Sequence, residues 1–291
     1  MIAWLVGAAL AVSPVAIVVS DDVPAYEDPA VAAQRLIGDR GAIYRLHGRE
    51  ADGAAVGARL AADPPEVVLA FGAKAAWIAR KAIPDTPLVY ASIRDPARYG
   101  VVGAQTTGVE MGVAPETFLS QFAAFFPADR SIGLVLGPGT STEQESALTR
   151  AGAEVGVGLI PIRVGGVSDV RRALHRAPPL DALWLVPDVD LLAPTTWRTL
   201  IEESQRRKVP LLVDTAVLVR AGGAFAVVPD PQAIATAAVG QVERVLSGEL
   251  PQNLAIVTAE GRLVVVNNAA LDSIGAEFDP LLRDFVDVFL Q

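Results

Sequence analysis

A chain of 291 residues that is 52% hydrophobic and 20% charged holds enough apolar surface for two buried cores, which excludes a disordered or low-complexity protein. Its formal net charge of −9 argues against nucleic acid as a partner, because affinity for a polyanion rests on a basic surface that displaces counterions. The absence of cysteine removes disulfides, thiol nucleophiles, thiolate-bound metals and the acylated cysteine of a lipoprotein. Two histidines, His47 and His175, read as structural or solvated, so neither a metal nor another cofactor is expected.

Residues 2–19 carry no charge, which raises the question of a membrane span, but Ser13-Pro14 interrupts the stretch. The better division is a hydrophobic leader over 1–14, with Ala9-Leu10-Ala11 resembling a signal-peptidase site, followed by a strand over 15–20. That leader lacks the Lys or Arg that export signals usually carry, so a retained anchor and a buried start stay open beside a cleaved signal. An exported, periplasmic or otherwise extracytoplasmic protein is expected.

From residue 15 strands and helices alternate: a helix over 29–37, a strand over 42–46, a helix over 53–62 and a strand over 67–71. The stretch VVLAF is apolar throughout, as a parallel strand buried on both faces must be, and Gly72-Ala73 turns the backbone into a helix opening at Lys74. Pro84 and Pro87 end that helix, and a strand over 88–91 follows. Residues 101–111 are small and polar, and read as an extended crossing into a second half. There helices at 115–125, 143–151, 167–176 and 194–206 alternate with strands at 132–136, 155–160, 182–186 and 211–213. Gly222-Gly223 breaks the rhythm. A strand over 224–228, a long helix over 231–246, two strands around a Glu-Gly turn in IVTAEGRLVVVN, and helices over 269–274 and 280–290 complete the chain. The expectation is an α/β protein of two Rossmann-like lobes with parallel sheets, joined by several crossings and hinged.

Motifs for nucleotide or acyl chemistry are missing. Residues 137–142, GPGTST, lack the lysine of a phosphate-binding loop, and neither G-x-S-x-G nor G-x-G-x-x-G follows a strand. No enzymatic activity is expected. What remains is a set of small polar and acidic residues where strands end, the place at which open parallel sheets bind ligands. In the first half these are Ser20, Asp21 and Tyr26, then Gly72, Ala73 and Lys74, then Ser92 and Asp95; in the second they are Gly139, Thr140 and Ser141, Asp188 with Asp190, and Asp214. Backbone N–H groups at helix starts could hold a carboxylate, while aspartates could hold an ammonium or hydroxyls. Each residue taken singly also reads as a helix cap or turn former, and Lys74 also as a plain surface lysine. Asp188 and Asp190 could be an acid–base pair, or simply a solvated loop. Trp77 and Trp184 read as core.

The ordered series IVVSDDVPAY, VVLAFGAKAAW with VYASIRDP, TTGVEM, RSIGLVLGPGTS, DALWLVPDVDLL, KVPLLVDTAVLVRAGGAFAV, VLSGELP and VVVNNAALDSIG resembles the ABC-transporter substrate-binding family that includes tryptophan- and phenylalanine-binding lipoproteins. The resemblance implies a type I periplasmic-binding-protein fold, with one lobe over 15–107 plus 225–248, the other over 108–224 plus 249–291, and a ligand in the cleft. It further implies a small-molecule ligand, an ABC permease as membrane partner and a monomer. A sensory module using the same cleft without transport is the alternative.

Overall fold

The computed structural model describes residues 13–126, 131–188, 191–276 and 280–290. The expected leader, apart from its last two residues, and Asp190 lie outside them. In chain order the elements are β1 (Val15–Val19), α1 (Pro24–Ile37), β2 (Gly41–Arg45), α2 (Glu50–Ala62), β3 (Val67–Phe71), α3 (Ala73–Ala82), β4 (Leu88–Ile93) and β5 (Thr106–Glu110). Then come α4 (Pro115–Phe125), β6 (Ser131–Leu136), α5 (Thr142–Glu154), β7 (Gly158–Arg163), α6 (Val167–Arg176), β8 (Ala182–Leu185), α7 (Pro194–Arg207), β9 (Leu211–Val213) and α8 (Ala216–Arg220). The chain ends with β10 (Phe225–Pro229), α9 (Pro231–Leu246), β11 (Val257–Thr258), β12 (Arg262–Asn267), α10 (Asn268–Ile274) and β13 (Val288–Leu290).

Two compact units result. Unit 1 is the chain up to Met111 with Pro229–Gly261, and unit 2 is Gly112–Val228 with the chain from Arg262 onward. Unit 1 holds a sheet of order β11-β5-β4-β3-β1-β2, all of it paired in parallel. Unit 2 repeats that order in β12-β10-β9-β8-β6-β7 and adds β13 at the edge beside β12. In both the order reverses at the first strand, so the loops after β1 and β3, and after β6 and β8, flank a switch point where such sheets bind ligands.

Alternation along the buried strands explains each unit's two cores. In unit 1, Val15, Ile17, Val19, Leu69 and Phe71 face α1 and α9, while Ala16, Val18, Val68 and Ala70 face α2 and α3. In unit 2, Ile132, Leu134 and Leu136 join Phe118 and Phe122 of α4, where Trp184 stacks on Phe118 at 4.8 Å, and Val135 faces α6 and α7. Each large side chain buried this way contributes about 1.5–3 kcal/mol.

Strand pairing places the unit boundaries. The sequence divides the chain at 107/108, 224/225 and 248/249. The first falls inside β5, which pairs with β4; residues 225–228 belong to β10, which pairs with β9; and β11 pairs with β5, keeping 249–261 in unit 1. The two strands expected around the Glu-Gly turn are not partners: β11 lies in one sheet and β12 in the other. Three local readings also change. The strand expected over 155–160 starts at Gly158, because α5 runs to Glu154 and Gly156, at φ +72°, makes the turn. The helix expected over 280–290 is a 3-10 turn, Pro280–Phe285, followed by β13, which pairs with β12. Trp77, expected in the core, is 50% exposed on α3.

Candidate functional site

At the carboxyl edge of the unit 1 sheet, Ser20 ends β1 and is buried. Its Oγ accepts the N–H of Ala75 at 2.9 Å, so a residue from another strand caps the first turn of α3. That capping is possible because α3 is preceded by Gly72 at φ +90°: a Cβ there would stand 2.5 Å from Ser20 Oγ and 3.1 Å from the Tyr26 ring. Asp21 accepts the N–H of Asp22 at 2.8 Å and lies over Gly48, where a Cβ would come 2.7 Å from its Oδ2. Lys74, exposed at the start of α3, donates to the Gly48 carbonyl at 2.6 Å, not to Asp21 or Asp95. Gly48 in turn donates to the Ser20 carbonyl at 3.0 Å, so the loops after β1, β2 and β3 are laced together. Tyr26 is half-buried, and its phenol is held above the ordinary range first by burial, then by Tyr99 and Asp21 nearby.

Two strands away, β4 carries a bulge. Its pairing with β5 slips between Tyr90 and Ile93, and Leu88, Tyr90 and Ile93 face one core while Val89 and Ala91 face the other. The inserted residue is Ser92. It sits at φ +56°, is 4% exposed, and its Oγ has no hydrogen-bond partner among the described residues. The neighbouring Ala91 carbonyl accepts the Gly72 N–H at 3.0 Å, which ties this bulge to the start of α3. Asp95, at φ +52°, accepts the N–H of Arg98 at 3.3 Å and so caps its own 3-10 turn.

Backbone strain is concentrated here. The described non-glycine residues with positive φ are His47, Ser92, Asp95 and Lys208; the first three follow or end β2 and β4. Each such conformation costs of order 1–3 kcal/mol, and clusters of them mark functional sites. His47 reads from sequence as a mere strand end, yet its Nδ1 meets Asp22 Oδ1 at 2.8 Å. A His-Gly pair ending a strand was the available signal.

At the equivalent edge of unit 2, the described loop residues bond to one another, while Trp184 Nε1 within β8 is buried without a partner among the described residues. Asp188, 7% exposed, accepts the Gly139 N–H at 2.7 Å, and a Cβ on Gly137 would come 2.3 Å from its Cγ. It therefore holds the loop after β6. Ser141 and Gln144 form a reciprocal capping box on α5, with Ser141 N–H donating to Gln144 Oε1 at 2.9 Å and Gln144 N–H to Ser141 Oγ at 3.2 Å. Thr140 is buried, and its carbonyl accepts from Arg163 at 3.3 Å. Thr215, beside half-buried Asp214, caps α8, and Asn267 caps α10 while donating to the Val219 carbonyl. Unit 2 thus brings together Gly139, Thr140, Ser141 and Asp188, while Asp214 follows β9, on the far side of β8.

The sequence model of the family described as ABC transporter substrate binding protein matches residues 44–281. No curated protein sequence matches the chain. Among solved structures, the ligand-free, open form of a substrate binding protein with adhesive properties from Clostridium difficile is similar, with a TM-score of 0.75 at 16% identity, over 95% of this chain and 98% of that one. The ABC domain from Streptococcus pneumonia in complex with L-Trp gives 0.62 at 17% identity, over 95% and 100%. A LacI family transcriptional regulator from Arthrobacter sp. FB24, complexed with lactose, gives 0.52 at 16%, over 87% and 97%. These likenesses share the type I periplasmic-binding-protein fold.

Proposed function

The chain belongs to the ABC transporter substrate-binding protein family, and on that premise we propose that it binds a small polar solute, an amino acid or a related organic anion, and delivers it to a membrane permease. The protein acts outside the cytoplasm, exported by its apolar leader. Among the described residues no helix is long and apolar enough to cross a membrane. The strand-end loops of unit 1 are the recognition surface for that solute.

The observation that carries this reading is Ser92. A buried hydroxyl without a partner is unfavourable by about 1–3 kcal/mol, and the left-handed backbone that presents it adds further strain. A ligand that supplies the missing bond would relieve that cost. Along the same sheet edge, the N–H groups at the start of α3 suit a carboxylate and Asp21 suits an ammonium or hydroxyl. The likeness to a lactose-bound regulator supports, at the level of fold, a sensing module as the alternative.

Native mass spectrometry of protein purified without denaturation tests the reading. A co-purified small polar molecule that raises Tm when added back is expected, since a ligand bound only by the native state must stabilise it. No bound species, together with an unchanged Tm across millimolar amino acids and organic anions, would count against it.

A further inference from the structure

A second surface of unit 1 lies away from the strand ends. Gly53 of α2 packs so closely on α3 that a Cβ there would stand 2.5 Å from Ile78 Cδ1, and Gly57 also faces Ile78. With its glycines used in this contact, α2 turns Ala54, Ala58 and Ala61 outward, all exposed. They line a groove of about 790 Å³ whose other wall is Trp77 and Lys81 of α3, with Glu50 at one end. Solvent-facing helices normally carry long polar side chains; here short alanines leave a half-exposed tryptophan uncovered, and tryptophan is enriched in contact surfaces.

We propose that this α2–α3 face is self-docking: two copies of the chain associate through it about a twofold axis. Charge placement selects a second copy as the occupant. Both helices run antiparallel to the same parallel strands and hence parallel to each other, which puts Glu50 at the amino end of the face and Lys81 toward the carboxyl end, roughly 15 Å apart along the axis. Lys81 rests over the Trp77 ring at 4.9 Å, and neither it nor Glu50 has an ion-pair partner among the described residues. Lys74, at the Glu50 end, is already bonded to Gly48. A twofold operation lays α2 antiparallel against its copy and brings each Glu50 to the partner's Lys81, pairing opposite charges at both ends and aligning helix dipoles favourably. Alanine side chains permit helix axes to approach to about 8 Å. A uniformly acidic partner would instead face Glu50 with like charge. Two short helices make a small interface, so a weak, concentration-dependent association is expected. This departs from the monomer expected from sequence.

Sedimentation equilibrium of the full chain from about 1 µM to about 1 mM tests it. A reversible monomer–dimer equilibrium is expected. Ala58→Arg and Lys81→Glu, both at exposed positions, should each raise the dimer dissociation constant at least about tenfold with circular dichroism unchanged, and Glu50→Lys combined with Lys81→Glu should restore it. A monomer across the whole range, a dimer indifferent to Ala58→Arg, or a Lys81→Glu defect that the charge swap leaves unrepaired would each overturn the proposal.

Discussion

The two carboxyl edges are built on the same strand order, but they use their polar residues differently. In unit 2 the described loop side chains are engaged internally: Asp188 on the Gly139 N–H, Ser141 and Gln144 on each other, Thr215 and Asn267 on the helices they cap. In unit 1 the backbone is bent into left-handed conformations at His47, Ser92 and Asp95, and the Ser92 hydroxyl is buried without a partner. The described loops of one edge brace themselves, and the other edge presents a strained, unpartnered hydroxyl. Identical topology therefore does not imply identical function at the two edges, and the distinction lies in hydrogen-bond accounting that topology does not contain.

The comparison can be broken from the unit 1 side most severely at Gly72. Gly72→Ala should lower stability by about 2–4 kcal/mol, because φ +90° is strained for alanine and the Cβ would meet Ser20 Oγ at 2.5 Å. Denaturant unfolding measures this, and a loss below 1 kcal/mol would mean that the Ser20–α3 contact is loosely held. On the unit 2 side, Asp188→Ala should lower stability by about 1–3 kcal/mol by leaving the Gly139 N–H unpaired, and Asp188→Asn, which keeps an acceptor, should recover most of it. If Asp188→Ala left stability intact but abolished solute binding, Asp188 would be a ligand contact and the asymmetry between the edges would fail.

Much of the architecture is legible in the sequence because its signals are local and physical. Short apolar runs such as VVLAF, bounded by glycine and proline, read as strands buried on both faces, and proline and glycine punctuate the helices between them. The misread segments are those in which partners decide. Residues 288–290 form a strand because β12 is there to pair with, and Val155 closes α5 where its apolar character suggested a strand start. Trp77 lies on a helix whose neighbour, α2, offers glycine and alanine on that side, too little to cover an indole.

For the candidate site, the sequence shows that small polar and acidic residues gather where strands end, and it does not say which of those groups are already satisfied. Asp95 and Asp188 look alike in the sequence; one caps its own turn and the other braces a distant loop, which only tertiary contacts decide. Ser92 is the hardest to foresee. Serine carries no expectation of positive φ, and the bulge that forces it arises from the register between β4 and β5.

Calorimetric titration of Ser92→Gly beside the wild type, using the solute identified by mass spectrometry, tests the central claim most directly. Glycine accepts φ +56° without strain and removes the unpartnered hydroxyl, so the free protein should gain about 1 kcal/mol in stability. Affinity should fall roughly 10-fold to 100-fold as the solute loses its partner. Unchanged affinity together with lowered stability would contradict the account, and would return Ser92 to a structural role in the bulge.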